Sequence, residues 1–300
     1  MPRSVVLALF AVLVSSACSS PDYEITFASD REETLDLFGI SPDSSFFKHY
    51  TGDNGTEYNP DWSPDGLSLA YTRWTGSNAD IFAFTPSLGT VIPLVASPAY
   101  DADPDWGPDG GSILFVSDRD GLRGIYQALL ADSIVVRLSP ADETDIAPEF
   151  SPDGRFIAFG RTMKGSEGLG AILVMNADGT GARQVSTAKG FDSLPSWSPD
   201  GERLAFHRCV EQRCTLWLVN ADGSDEQPLL ATENDTRWPA WSPDGAWISF
   251  TKTVGTKASD VWIIRPDGSD EQRVTRWPGP DEGATWNPKV LEGRTPPLAE

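Results

Sequence analysis

The stretch Trp62-Ser63-Pro64-Asp65-Gly66 (WSPDG) returns unchanged at Trp197–Gly201 and Trp241–Gly245, and lightly altered at Trp106–Gly110 (WGPDG) and Phe150–Gly154 (FSPDG). Ser at the first position of a type I turn, Pro at the second with its φ already set, and Gly last, where positive φ is cheap, make it a hairpin turn. Its aromatic residues are 44, 44, 47 and 44 residues apart, and a sixth copy, Trp286-Asn287-Pro288 with Lys289 in place of Asp, follows 45 further on. That period is the length of a four-stranded propeller blade.

Second strands line up behind the turns as Ile25–Phe27, Leu69–Tyr71, Ile113–Phe115, Ile157–Phe159, Leu204–Phe206 and Ile248–Phe250. In each, the first and third residues are large and apolar and share one face, as a strand sandwiched between neighbouring sheets requires. The first repeat lacks the turn motif before it, and the last motif, Thr285 to Pro288, has no strands after it. Each fragment supplies what the other lacks. The expected fold is all-β: a six-bladed β-propeller of four-stranded blades, closed by the C-terminal strand completing the first blade. The expected domains are a leader at 1–17, a linker at 18–22, the propeller at 23–288 and a tail at 289–300.

The recurring pattern P-x-W-S-P-D-G-x-x-I-A-F, followed by S-x-R, an apolar pair and a D-G turn, resembles the TolB-type WD-like propeller repeat, and it covers nearly the whole chain after the leader. The resemblance implies a periplasmic protein that binds partner proteins, with short peptide segments held at the mouth of a central channel. In TolB the propeller follows an α/β domain, whereas here the leader runs almost directly into the first repeat. This departure leaves membership of the Tol system open.

Arg3 is the single charge ahead of the apolar run Val5–Val14, and small residues end it at Ser15-Ser16-Ala17-Cys18. This reads as an export signal, too short to span a bilayer as a helix. Cys18 stands where a bacterial lipoprotein carries its acylated cysteine, with Ser15 departing from the usual aliphatic position. The expected location is the periplasm, with the membrane reached through a lipid anchor alone. Cys209 and Cys214 flank a four-residue loop between two strands and suit a disulfide in an oxidising compartment. The two histidines, His49 and His207, match no common zinc spacing, so no metal site is assigned. Net charge is −21 over 300 residues; without the leader, 44 acidic residues face 22 basic ones, or −22. Such a field repels nucleic acid and favours basic polypeptide segments.

Five residues before the aromatic anchors stand Glu57, Asp101, Asp145, Asp192, Thr236 and Asp281, with Asp235 beside the one non-acid. Opposing cations recur at Arg31, Arg73, Arg119, Arg161, Arg208 and Lys252. Either each cation ties down a carboxylate of its own or the next repeat, or part of the acidic ring stays free at the channel mouth to receive a basic peptide. Asp101-Ala102-Asp103-Pro104-Asp105 begins like a calcium loop, but Trp106 stands where its Gly belongs and Ser112 at its twelfth position. No nucleophile elbow or phosphate loop occurs, and His207 reads as a strand-end side chain with an ordinary polar partner.

The sequence thus predicts a noncatalytic, exported monomer that binds an envelope protein or basic peptide segment at the acidic channel mouth, without nucleic acid. No cofactor is expected; calcium held by channel carboxylates is the one ion considered. The alternative is a calcium-dependent hydrolase or lactonase with its site in the channel.

Overall fold

The structure, a computed structural model, describes residues 22–52, 55–165, 168–230, 232–255 and 258–290. The leader, Cys18, the linker up to residue 21 and the tail from residue 291 lie outside the described residues. Every regular element among these is a β-strand. The repeated turns form as their composition demands. Gly66 N–H donates to the Ser63 carbonyl at 2.7 Å, with Gly66 at φ 62°. The Ser63 hydroxyl donates to Asp65 Oδ1 at 2.7 Å and accepts the Ser68 N–H at 3.0 Å. Ser and Asp therefore recur because together they satisfy the turn's own polar groups.

Each turn opens an antiparallel meander. The first repeat contributes β1 (Tyr23–Ser29), β2 (Asp36–Ile40) and β3 (Phe47–His49). The second contributes β4 (Thr56–Trp62), β5 (Leu69–Trp74), β6 (Ala79–Thr85) and β7 (Thr90–Val95), and the third β8 (Asp101–Trp106), β9 (Ser112–Ser117), β10 (Gly124–Leu129) and β11 (Ile134–Arg137). The fourth has β12 (Asp145–Phe150), β13 (Phe156–Thr162), β14 (Gly170–Asn176) and β15 (Arg183–Gln184); the fifth has β16 (Phe191–Trp197), β17 (Arg203–Val210), β18 (Arg213–Asn220) and β19 (Gln227–Pro228). The sixth has β20 (Asp235–Trp241), β21 (Ile248–Thr253), β22 (Ser259–Ile264) and β23 (Gln272–Arg273), after which β24 (Asp281–Val290) returns to pair antiparallel with β1.

The expectation of six separate four-stranded blades is corrected by the hydrogen bonding. Four sheets are free-standing four-stranded blades, β24-β1-β2-β3, β4 to β7, β8 to β11 and β20 to β23. The fourth and fifth repeats instead form one eight-stranded sheet, because β14 meets β16 in parallel at Gly170 and Phe191. The Gly170 N–H donates to the Gly190 carbonyl at 3.1 Å. A Cβ at Gly170 would lie 3.0 Å from the Phe191 ring, so the missing side chain is what allows this approach. The fusion falls in the one repeat interval that is 47 residues long, where the connection has three residues more than its neighbours.

The core is distributed between repeats. Ile157 and Phe159 pack with Leu114 and Ile125 of the preceding repeat, and Leu204 and Phe206 with Ile172 and Val174. The last such cluster brings Trp247, Val261 and Ile263 against Ile25, Phe27 and Trp286, so the sixth repeat seals onto the first. The aligned second-strand residues are fully buried, each contributing about 1.5–3 kcal/mol relative to exposure.

Candidate functional site

The carboxylates singled out by the repeat stand at the first or second residue of the inner strands and are closed into ion pairs. Glu57 faces Arg73 across β4 and β5 at 2.9 Å, Asp145 faces Arg161 at 2.6 Å, and Asp192 faces Arg208 at 2.6 Å. In the first and third repeats the cation comes from further along, giving Arg31–Asp281 at 2.6 Å and Arg119–Asp101 at 2.8 Å. The sixth repeat has Thr236 at this place, and Lys252 turns to Glu271 at 2.5 Å. Asp235 accepts the Cys214 N–H at 2.6 Å and holds Arg237 at 2.7 Å. Aromatic rings cover the cations, with Arg73 over Phe82 at 4.4 Å and Arg208 over Trp217 at 4.3 Å. Glu57, Asp101, Asp145, Asp192 and Asp281 have no exposed surface. The expected open acidic rim is therefore not what these residues make. A cation from the facing strand, or from just past its end for Asp101 and Asp281, meets each carboxylate before it reaches the channel.

The open site lies a few residues further along the same strands. Each inner strand bulges at a left-handed residue: Asn59, Asp103, Ala147, Leu194, Trp238 and Gly283 have φ between 49° and 61°. Pro follows in five of the six, at Pro60, Pro104, Pro148, Pro195 and Pro239. Left-handed backbone at Ala147, Leu194 and Trp238 costs on the order of 1–3 kcal/mol each, so the surrounding sheets must hold it in place. The bulge turns consecutive residues of every inner strand toward a shared axial cavity of about 280 Å³.

Two residues after each left-handed residue, the lining loses its repeat symmetry. It reads Asp61, Asp105 and Glu149 in the second, third and fourth repeats, then Ser196, Ala240 and Thr285. Each acid clips the next repeat through a main-chain amide: Trp106 N–H to Asp61 at 2.7 Å, Phe150 N–H to Asp105 at 2.8 Å, and Trp197 N–H to Glu149 at 2.8 Å. Protein surrounds the three carboxyls, which are half-buried and open toward the cavity. Burial raises all three above the ordinary carboxylate range against the pull of the amides, and the charges of Asp61 and Glu149 raise Asp105 further. Asp103, which accepts from Asn59 Nδ2, is also raised by burial, and Arg123 opposes the rise. Across the cavity Leu194, Trp238, Ala240 and Ala284 supply an apolar wall. The cavity is thus acidic on one side and apolar on the other.

Residues 3–245 match the family described as PD40, the TolB beta propeller domain. The chain belongs to the TolB β-propeller family. Among solved structures, TolB from Acinetobacter baumannii is similar at 20% identity and a TM-score of 0.77, over 89% of this chain and 67% of that one. A putative TolB from Agrobacterium tumefaciens is similar at 17% identity and 0.71, over 87% and 91%. An oligogalacturonate lyase in complex with manganese is similar at 14% identity and 0.57, over 86% and 74%. Likeness at these identities extends to the fold alone. Curated proteins give no match to this sequence.

In this TolB-family chain the expected disulfide joins Cys209 to Cys214 across β17 and β18, although the loop between the strands is only Glu211-Gln212 rather than four residues. His207 departs from expectation. It lies within β17 opposite Ser193 and Leu216, is 5% exposed, and its Nδ1 has no hydrogen-bond partner among the described residues. Burial pushes its pKa down to about 3, so the ring is neutral. The sequence reasoning missed Asp61, Asp105 and Glu149, although a signal was present. They occupy the x of P-x-W, the position where the repeat changes chemistry from one half of the ring to the other.

Proposed function

We propose that this protein is a noncatalytic binding module that receives a basic segment of a partner protein in its axial cavity. The observation that carries this reading is the asymmetric lining. Three carboxyls on neighbouring inner strands are matched by main-chain amides rather than by cations, facing a wall of Leu194 and Trp238. A lysine or arginine of the partner would meet the acids and an adjoining apolar side chain would rest on the wall. The incoming cation would draw the raised carboxyls back to the ionised form, so binding would release protons. Family membership supports a protein partner. The leader at 1–17 supports export to the periplasm, and Cys18 supports a lipid anchor, which mass spectrometry of the mature N-terminus would test directly.

The test is a photo-cross-linking residue at Trp238 in the intact envelope, compared with the same probe in the variant Asp61→Asn/Asp105→Asn/Glu149→Gln. A discrete adduct in the first that disappears in the second supports the cavity. The same adduct at equal yield in both would remove the acids from the binding site.

A further inference from the structure

Next to the turn of the β17–β18 hairpin, His207 and Cys209 stand two residues apart on one strand and so share a face. Cys214 is the cross-strand partner of Cys209. A ring nitrogen of His207 and the two sulfurs all lie within 4.8 Å of one another. The His207 ring is 95% buried, and leaving its Nδ1 unpartnered there is costly. Neither the repeat nor the axial cavity makes use of that nitrogen. Cys209 and Cys214 line a pocket of about 470 Å³ with Glu211, Gln212 and Arg237. Asp235 holds Arg237, the cation lining this pocket, at 2.7 Å.

We infer that His207, Cys209 and Cys214 form a redox-gated site for a thiophilic divalent cation of the zinc type, closed while the disulfide stands and opened by a dithiol reductant. The dithiol passes two electrons and two protons to the Cys209–Cys214 bond. Two thiols remain here and the reductant becomes a disulfide. The dication then displaces both thiol protons to solvent. Two thiolates and the neutral imidazole supply three ligands of a tetrahedral set, and water from the adjoining pocket completes the fourth. Two thiolate charges balance the metal, which a buried site requires. Disulfide and metal exclude each other because they use the same sulfur electron pairs.

The experiment uses the full chain with Cys18→Ser in every sample, so that the hairpin thiols alone report. Protein reduced with a phosphine, freed of reductant and kept anaerobic is titrated with cobalt(II) as the probe. The expected result is thiolate-to-cobalt charge-transfer absorption that saturates at one cobalt per chain, is absent from oxidised protein and is abolished by added zinc. His207→Ala and the milder His207→Gln, each confirmed folded by circular dichroism, should bind cobalt at least about tenfold more weakly. Reduced protein with both thiols free and no such absorption overturns the site. Equal affinity in a folded His207 variant overturns the three-residue set.

Discussion

Two sets of carboxylates sit on the same inner strands and behave in opposite ways. Glu57, Asp101, Asp145, Asp192 and Asp281 each find a guanidinium on the neighbouring strand or just beyond its end and vanish from the surface. Asp61, Asp105 and Glu149, four residues further along from Glu57, Asp101 and Asp145, find main-chain amides instead and stay open to the axial cavity. A feature kept by nearly every repeat ties the sheets together, whereas one confined to half of the ring gives the molecule a direction. Acidity alone does not mark a binding surface; the identity of the nearest partner does.

The largest effect that would break this comparison comes from the closed set. Asp145→Ala leaves the partly buried Arg161 without its partner and should cost about 2–3 kcal/mol in denaturant unfolding, between the exposed and fully buried cases. Adding Arg161→Met should recover part of that loss, since the uncompensated charge is then gone. A loss below about 1 kcal/mol would place the pair among exposed ion pairs. Next comes Asp61→Asn/Asp105→Asn/Glu149→Gln, which should abolish partner binding while leaving stability equal or higher at about pH 8.

A pH series sharpens the same contrast. Because the three cavity carboxyls are raised on folding, the folded state binds more protons, so their contribution to stability is present at low pH and is lost as pH rises through the raised values toward neutrality and above. His207 acts the other way. Its folded value of about 3 lies below the ordinary 6.5, so its contribution is present above 6.5 and is lost as pH falls toward 3. Thermal melts from about pH 5 to about pH 8 should fall in the wild type and fall less steeply in the triple variant, which keeps Glu57 raised by burial to about 7. Parallel curves for both proteins would show that the cavity acids titrate normally. The smallest effect is Ser242→Ala, which removes the hydroxyl bonded to Asp244 and to the Trp247 N–H and should cost about 1 kcal/mol without touching binding.

The repeat, the turns and the core strands were legible because each rests on local chemistry seen several times over. Ser-Pro-Asp-Gly carries its own hydrogen bonds, and the paired apolar residues of Ile157–Phe159 and its counterparts need nothing beyond period-two alternation. Closure by the last strand was legible from two complementary fragments. The eight-stranded sheet was not, because it depends on a single contact at Gly170 that only three dimensions supply. The ion pairs stood among the alternatives, since spacing placed Arg161 and Asp145 on facing strands but could not say whether they touch. The cavity acids stayed hidden because the left-handed turn at Asn59, Asp103 and Ala147 re-aims the residues that follow, and a regular strand would have sent them elsewhere.

Arg31 grips Asp281 across 250 positions of chain, and β1 finds its remaining neighbour only in β24. The first strand made is thus the last to be covered. Until β24 arrives, one side of β1 offers unpaired amides and carbonyls to any passing β-strand. Assembly of the ring is consequently tied to the synthesis of β24, and a chain cut short before Asp281 would be a nucleus for aggregation rather than a smaller working protein.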